Sequence, residues 1–337
     1  LQINDETQPP PLKVGLTYNL KRDGANEAQA EFDSIETINA IKEAIEKLGH
    51  KVVLLEADGE LPPKLAQSRP DIVFNIAEGT NGRGREAHIP SLLSYYDIKF
   101  TGSDETTLCI CLDKALTKRI LISHKIKTPR YQIIESADFK INRNLKFPLI
   151  AKPNAEGSSK GISDISVVRS HSELYELVER HFAQSEAVLL LEEFIEGREF
   201  TVGIVGNGTE TRVMRPMEIR FRTSGEGYDV YDYTKKKYCE KYIEYVCPAQ
   251  LSCELEREMT VTAKKIYEVL GCRDFSRIDF RLTEFNELYF IEINPLAGLT
   301  PGYSDFPMIA KANGVEYEEL IAQILAAALK RYGIGEL

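Results

Sequence analysis

From Lys13 to Ile76 the chain repeats one rhythm, in which a short apolar run gives way to a helical stripe and then to another apolar run. Residues 13–18, 51–55 and 71–76 read as buried strands, while Ile35, Ile38, Ile41, Ile45 and Leu48 recur at helical spacing between the first two. Strand, helix and strand in that order predict a parallel sheet with crossover helices. Asp33 or Ser34 stands where this helix needs an N-cap, and Gly49 where it needs a C-terminal stop. The block from about 12 to 108 therefore reads as one small α/β domain.

After a helix over 113–123 and Pro129 the pattern changes. Residues 149–152, 165–168, 188–193 and 199–205 are strand-like, and Asn207-Gly208 reads as a hairpin turn leading into 211–219. Residues 222–242, rich in Gly, Tyr, Asp and Lys without periodicity, read as a long loop of the kind that serves as a lid. A helix over 254–270, a hairpin over 275–294 and a helix over 316–332 follow, and there is no internal repeat.

Composition narrows the class. The 337 residues carry 42 Lys and Arg against 52 Asp and Glu, a formal net charge of -10, which argues against nucleic acid or anionic membrane as a partner. No run reaches the ~18 apolar residues of a membrane helix, and residues 1–11 read as a polar, proline-rich arm rather than a signal peptide. Six cysteines without a CxxC pair suggest reduced thiols and the cytoplasm. Five histidines, none at HExxH spacing, disfavour a zinc hydrolase.

Candidate chemistry concentrates in two segments. In 275–294, a two-residue loop at Phe285-Asn286 sets Asp279 across from Glu292, Arg277 across from Asn294, Phe280 across from Ile291 and Leu282 across from Tyr289. One face is then apolar, and the other gathers two carboxylates and an amide. Opposed Cβ atoms lie ~4.5–5.5 Å apart, so the carboxylates repel unless a cation joins them. Oxygen donors without His or Cys suit Mg²⁺ held jointly with nucleotide phosphates. The plainer alternative is a solvated sheet face with cross-strand charge pairs. The second segment, 150–161 (IAKPNAEGSSKG), offers Gly157, Gly161, two serines and Lys152 for a phosphate flap, although many Gly-Ser loops are only turns. It is neither GxxxxGK[ST] nor strand, loop and helix, so the usual P-loop is excluded.

Other motifs weigh less. Gly82 to Ala87 matches GxGxxA, but it lies well past the third strand instead of in a tight turn after the first, so NAD binding is disfavoured. Lys114 and Lys118 share one helix face and read as solvated. Glu192, Glu193, Glu196 and Glu199 flank a strand pair and read as surface, and Lys235 to Tyr238 as a loop.

In order along the chain, these motifs resemble the ATP-grasp superfamily, and within it the D-alanine–D-alanine ligase family, over about 12–329. The resemblance implies an α/β (α+β) architecture. An N-terminal parallel α/β pre-ATP-grasp domain (12–110) is followed by a two-subdomain ATP-grasp domain (111–332), with a middle part at about 111–186 and a C-terminal part at about 187–332. Asp113-Lys114 and Lys152-Pro153 look like the two phosphate-contacting lysine motifs, and Glu156-Gly157-Ser158-Ser159 like the phosphate flap, with Ser158 also orienting the substrate loop. EEFIEGREFTV (192–202) resembles the adenine and ribose segment, which implies that Glu192 and the backbone of Phe194 and Ile195 contact adenine and that Glu199 contacts ribose. Residues 231–238 resemble the lid, with Lys236 or Lys237 on phosphate and Tyr238 meeting Ser158.

Arg277 falls on the family's catalytic arginine, Asp279, Glu292 and Asn294 on its metal ligands, and Gly298 and Ser304 on its substrate positions. Glu31 or Asp33 matches the glutamate that holds the first substrate's ammonium. The resemblance implies ATP and Mg²⁺ (two ions, or Mn²⁺ in their place), two amino-acid substrates and a homodimer, in peptidoglycan synthesis. The departures face the substrate: Glu78-Gly79 where the family has His-Gly, NPLAG (294–298) for NTSPG, and Ser304-Asp305 for Ser-Leu. They point to a different acceptor, longer or more cationic. The alternatives are a ligase making another dipeptide or a depsipeptide, and a non-catalytic nucleotide-binding regulator.

Overall fold

The computed structural model describes residues 10–22, 29, 31–155, 167–222 and 242–334. Strands β1 (Lys13–Tyr18), β2 (Lys51–Glu56) and β3 (Ile72–Asn75) form a parallel sheet in the order β2-β1-β3, as the opening rhythm predicts. Helix α1 (Ile35–Lys47) crosses between β1 and β2. Ser34, one of the two candidate caps, accepts a hydrogen bond from Thr37 N–H, and Gly49 at φ +86° follows the last turn. Ile38, Ile41 and Ile45 are fully buried, whereas Ile35 and Leu48, at the two ends of the expected stripe, are exposed. Helices α2 (Leu61–Ser68), α3 (His88–Tyr95) and α4 (Glu105–Leu112) complete this part, with a 3₁₀ turn at Arg85–Ala87.

Helix α5 (Lys114–Ser123) leads into β4 (Tyr131–Ile134), β5 (Leu149–Pro153), β6 (Val167–Val168), α6 (His171–Gln184) and β7 (Leu189–Glu193), whose strands form an antiparallel sheet in the order β4-β7-β5-β6. Strands β8 (Arg198–Val205), β9 (Arg212–Val213), β10 (Met217–Phe221), β11 (Ile243–Val246), β12 (Phe275–Leu282) and β13 (Leu288–Asn294) form a second one, β11-β10-β8-β12-β13, with β9 on β8. The Asn207-Gly208 turn widens into a 3₁₀ turn at Gly208–Glu210 before β9. Helix α7 (Cys253–Val269) packs Met259, Ala263 and Ile266 against Phe200, Val202 and Ile278 of this sheet.

Helices α8 (Asp305–Ala312) and α9 (Tyr317–Tyr332) close the order. Leu320, Ile321 and Ile324 of α9 share one core with Ile38 and Ile41 of α1, Leu16 of β1 and Phe275 of β12. Polar contacts tie the same elements together. Buried Asp274, at φ +65°, accepts hydrogen bonds from Gly102 N–H (2.8 Å), Asn207 (2.7 Å) and Arg331 (2.8 Å), and Arg331 also donates to the Phe100 carbonyl (2.9 Å). Cys109, Cys111, Cys247, Cys253 and Cys272 are unbridged thiols. Among the described residues no helix is long and apolar enough to cross a membrane.

Candidate active site

The β12–β13 hairpin places the carboxylates. Arg277 pairs with Asn294, Ile278 with Ile293 and Asp279 with Glu292, as the spacing predicts. Beyond Asp279 the register shifts by one, so Phe280 pairs with Phe290 and Leu282 with Leu288 instead of Ile291 and Tyr289. The cause lies at the tip, where three residues rather than two make the loop. Asn286 takes the left-handed conformation at φ +61°, and Thr283 N–H donates to the Glu287 carbonyl at 3.1 Å. A bulge at Ile291 absorbs the extra residue and restores the predicted pairing at the acidic end.

Cationic side chains already bracket both carboxylates. Arg277 donates from Nε to Asp279 Oδ1 (3.1 Å) and from Nη2 to Oδ2 (3.0 Å), and its Nη1 lies 3.2 Å from Asp305 Oδ2. Burial works against the charged guanidinium, but Asp279 and Asp305 outweigh it and raise its pKa. Lys114 Nζ lies 3.2 Å from Glu292 Oε1, and despite burial Lys114 and Lys152 hold Glu292 below the usual carboxylate range. Asn294 Oδ1 accepts from Leu296 N–H at 3.3 Å. The donor set of two carboxylates and one amide, all oxygen, fits a hard divalent cation. Among the described residues no group of three or more His, Cys, Asp or Glu forms a cage.

The lysines are set by the junction of α5 and β5. Asp113 caps α5 through Leu116 N–H (2.9 Å) and accepts from Asn154 Nδ2 (2.9 Å), while the Asn154 side chain accepts from Ala115 N–H (3.0 Å). Lys114 and Lys118 are buried, which corrects the expectation of a solvated helix face. Lys118 lies 2.8 Å from Glu192 Oε1, and Lys152 3.2 Å from Oε2. Glu192 is therefore also buried, not surface. Two lysines share one carboxylate, and burial pushes the Lys118 ammonium down to about 8. The surplus positive charge is what a polyphosphate would neutralise. Alongside, Arg281 binds Glu199 (2.6 Å) and the Ile195 carbonyl (2.9 Å), its guanidinium lies over the Phe194 ring, and Phe194 N–H donates to the Pro148 carbonyl (2.9 Å).

A third group lies in the N-terminal part. Both carboxylate oxygens of Glu31 accept from Arg85 Nη2 (3.0 and 2.9 Å), and Arg85 Nη1 donates to the Ala155 carbonyl (3.0 Å). Gly79, at φ +73°, lets the backbone pass so close that an added Cβ would lie 2.1 Å from the Arg85 carbonyl oxygen. Glu31, Glu78, Glu86, Lys114, Glu292 and Asn294 line a cavity of about 20 Å³, room for one water-sized group. Burial and the neighbouring Glu86 and Glu31 raise Glu78 well above the carboxylate range, and burial pushes Glu86 up to about 7. Half-buried Asp33, the other candidate for the substrate loop, does not line this cavity. Gly298 and Ser304 meet in one turn. Ser304 Oγ accepts from Thr300 N–H (3.2 Å), and a Cβ on Gly298 would lie 2.9 Å from that oxygen.

Glu156, Gly157, Ser158, Ser159, Tyr231, Lys235, Lys236, Lys237 and Tyr238 lie outside the described residues. The residues that do converge include three that the sequence did not single out as functional: Lys118, Arg85 and Glu86. The last two sit inside the rejected GxGxxA motif, whose real signal was a charged pair in a glycine-rich turn.

The family described as "D-ala D-ala ligase C-terminus" matches residues 120–326. This chain belongs to the D-alanine–D-alanine ligase family. It is 35% identical over 303 residues to the D-alanine–D-alanine ligase of Aquifex aeolicus (strain VF5), covering 90% of this chain and 97% of that protein. The ligase of Carboxydothermus hydrogenoformans is 34% identical over 306 residues, covering 88% and 94%. Solved structures share the fold. D-alanine–D-alanine ligase from Bacillus anthracis complexed with ATP superposes with a TM-score of 0.75 at 22% identity, over 96% of this chain and all of that one. VanG D-Ala:D-Ser ligase from Enterococcus faecalis does so with a TM-score of 0.72 at 21% identity, over 95% and all. The fold is ATP-grasp, and the chain is an ATP-dependent ligase of a family that uses a divalent metal.

Proposed function

We propose that the chain joins two amino acids through an acyl phosphate, with D-alanine as the reference donor. The observation that carries this reading is the opposition of Asp279 and Glu292 beside Arg277, next to the buried Lys114. In this reading the donor carboxylate attacks the γ-phosphate of ATP, ADP departs, and the amine of the second amino acid then displaces phosphate. Phosphoryl transfer needs alignment and charge neutralisation, which Lys114, Lys152 and Arg277 supply without a protein nucleophile. Asp279, Glu292 and Asn294 would hold Mg²⁺, as two ions or with Mn²⁺ in its place, and the metal when bound adds positive charge beside the phosphates.

Glu192 with the backbone of Phe194 and Ile195 would flank adenine, and Glu199 would hold ribose. Ser158, Ser159 and Lys236 or Lys237 would close over phosphate, with Tyr238 meeting Ser158. Arg277 and Gly298 N–H would stabilise the tetrahedral oxyanion, and Ser304 would face the acceptor. The unit boundaries proposed are 12–110, 111–186 and 187–332, in a cytoplasmic homodimer.

The substrate-facing residues support a difference from D-alanine dimerisation. Glu31, with Asp33 the alternative match for the family's ammonium contact, has both its oxygens engaged by Arg85, and Asp305 stands where the family has Leu. We infer an acceptor longer or more cationic than D-alanine. The test is an ADP-release screen over pairs of amino and hydroxy acids, with mass spectrometry of the product. D-alanine dimerised with ordinary affinity overturns the altered acceptor, and no ADP from any pair overturns the ligase mechanism in favour of nucleotide binding alone.

A further inference from the structure

Arg277 is divided between two carboxylates with different surroundings. Asp279, two residues along the same strand, takes the Nε and Nη2 edge, and its side chain keeps 21% of its surface exposed. Asp305 takes Nη1 at 3.2 Å from the first residue of α8 and keeps 2%. Asp305 also lies in the first turn of α8, where the helix dipole favours an anionic group.

The proposed function gives Asp279 a second task as oxygen donor to a divalent cation, and this inference rests on that reading. Guanidinium and cation repel each other when both crowd the same carboxylate. We propose that Asp305 is the positioning residue for Arg277, anchoring Nη1 so that the guanidinium stays beside β12 when Asp279 turns to the metal. The Nε and Nη2 edge released by Asp279 then faces the reacting carboxyl group. Without Asp305, Arg277 falls back on Asp279 and competes with the metal there.

The test measures Mn²⁺ bound to the full chain with ADP, by electron paramagnetic resonance, alongside steady-state kinetics. Asp305→Asn weakens Mn²⁺ binding and lowers kcat, each by about tenfold, the lower end for partners that orient a metal ligand. It leaves KM for ATP within about twofold, because uniform ATP binding is not what the anchor serves. Asp305→Glu restores part of both losses and guards against a folding defect in the Asn variant. In an Arg277→Ala background Asp305→Asn has no further effect on Mn²⁺. An equal Mn²⁺ loss in that background, or no loss in the native one, overturns the proposal by itself. If Asp279→Asn leaves Mn²⁺ affinity unchanged, the metal reading falls, and the anchor with it.

Discussion

Lys118 and Glu192 form an ion pair of 2.8 Å in which both side chains are within 2% of complete burial, on α5 and β7. Removing Glu192 leaves the buried Lys118 and Lys152 without their shared carboxylate and costs ~3–5 kcal/mol. Glu192→Gln is expected to lower the unfolding free energy from urea titration by that amount, with a matching fall in the midpoint, and Lys118→Met/Glu192→Gln to recover part of it. A single variant that unfolds at the native midpoint would show that the pair contributes nothing.

Arg277→Ala is expected to lower ligation by ~10²–10³-fold, the usual effect of deleting a group that stabilises an oxyanion. ATP affinity by calorimetry should change far less. Equal losses in both would remove the assigned role.

Gly79→Ala forces a side chain onto a residue at φ +73° and drives its Cβ to 2.1 Å from the Arg85 carbonyl oxygen. Strain of this kind costs ~1–3 kcal/mol. Because the displaced backbone carries Arg85, the variant should lose activity as well as stability. Native kcat/KM together with a lowered melting temperature would separate the turn from the site.

Burial pushes Glu86 up to about 7 in the folded chain, from an ordinary value of 4.5. Between these limits the folded state keeps a proton that the unfolded state has lost. The stability from this group is therefore full below the lower value and is lost as pH rises through the upper one. Glu86→Gln is expected to flatten the decline in stability from pH 5 to 8 by ~1 kcal/mol or more. Parallel pH profiles for the two proteins would contradict this.

The sequence disclosed those parts of the fold that depend on local periodicity and turn chemistry. The parallel sheet followed from alternation of strand and stripe, and the opposition of Asp279 to Glu292 from counting residues along a hairpin. That count tolerated an error, because a longer tip and a bulge cancel at the acidic end. What it could not reveal was burial of charge. Lys118 and Lys114 are spaced like any solvated pair on a helix, and only β7, far along the chain, supplies the carboxylate that makes Lys118 a core residue. Arg85 was hidden for the same reason, since its partner Glu31 comes from a different loop.

Order of synthesis gives the Asp274 clasp a further meaning. Arg331 is translated 231 residues after Phe100, whose carbonyl it binds, and the family match ends before it, at 326. The parallel sheet thus emerges from the ribosome long before the guanidinium that fastens it to the start of β12. Until that moment Asp274 has a destined place in the interior and no cation to occupy it with. The β12–β13 hairpin is complete by Asn294, whereas the guanidinium that joins Asp274 to Phe100 comes only with α9.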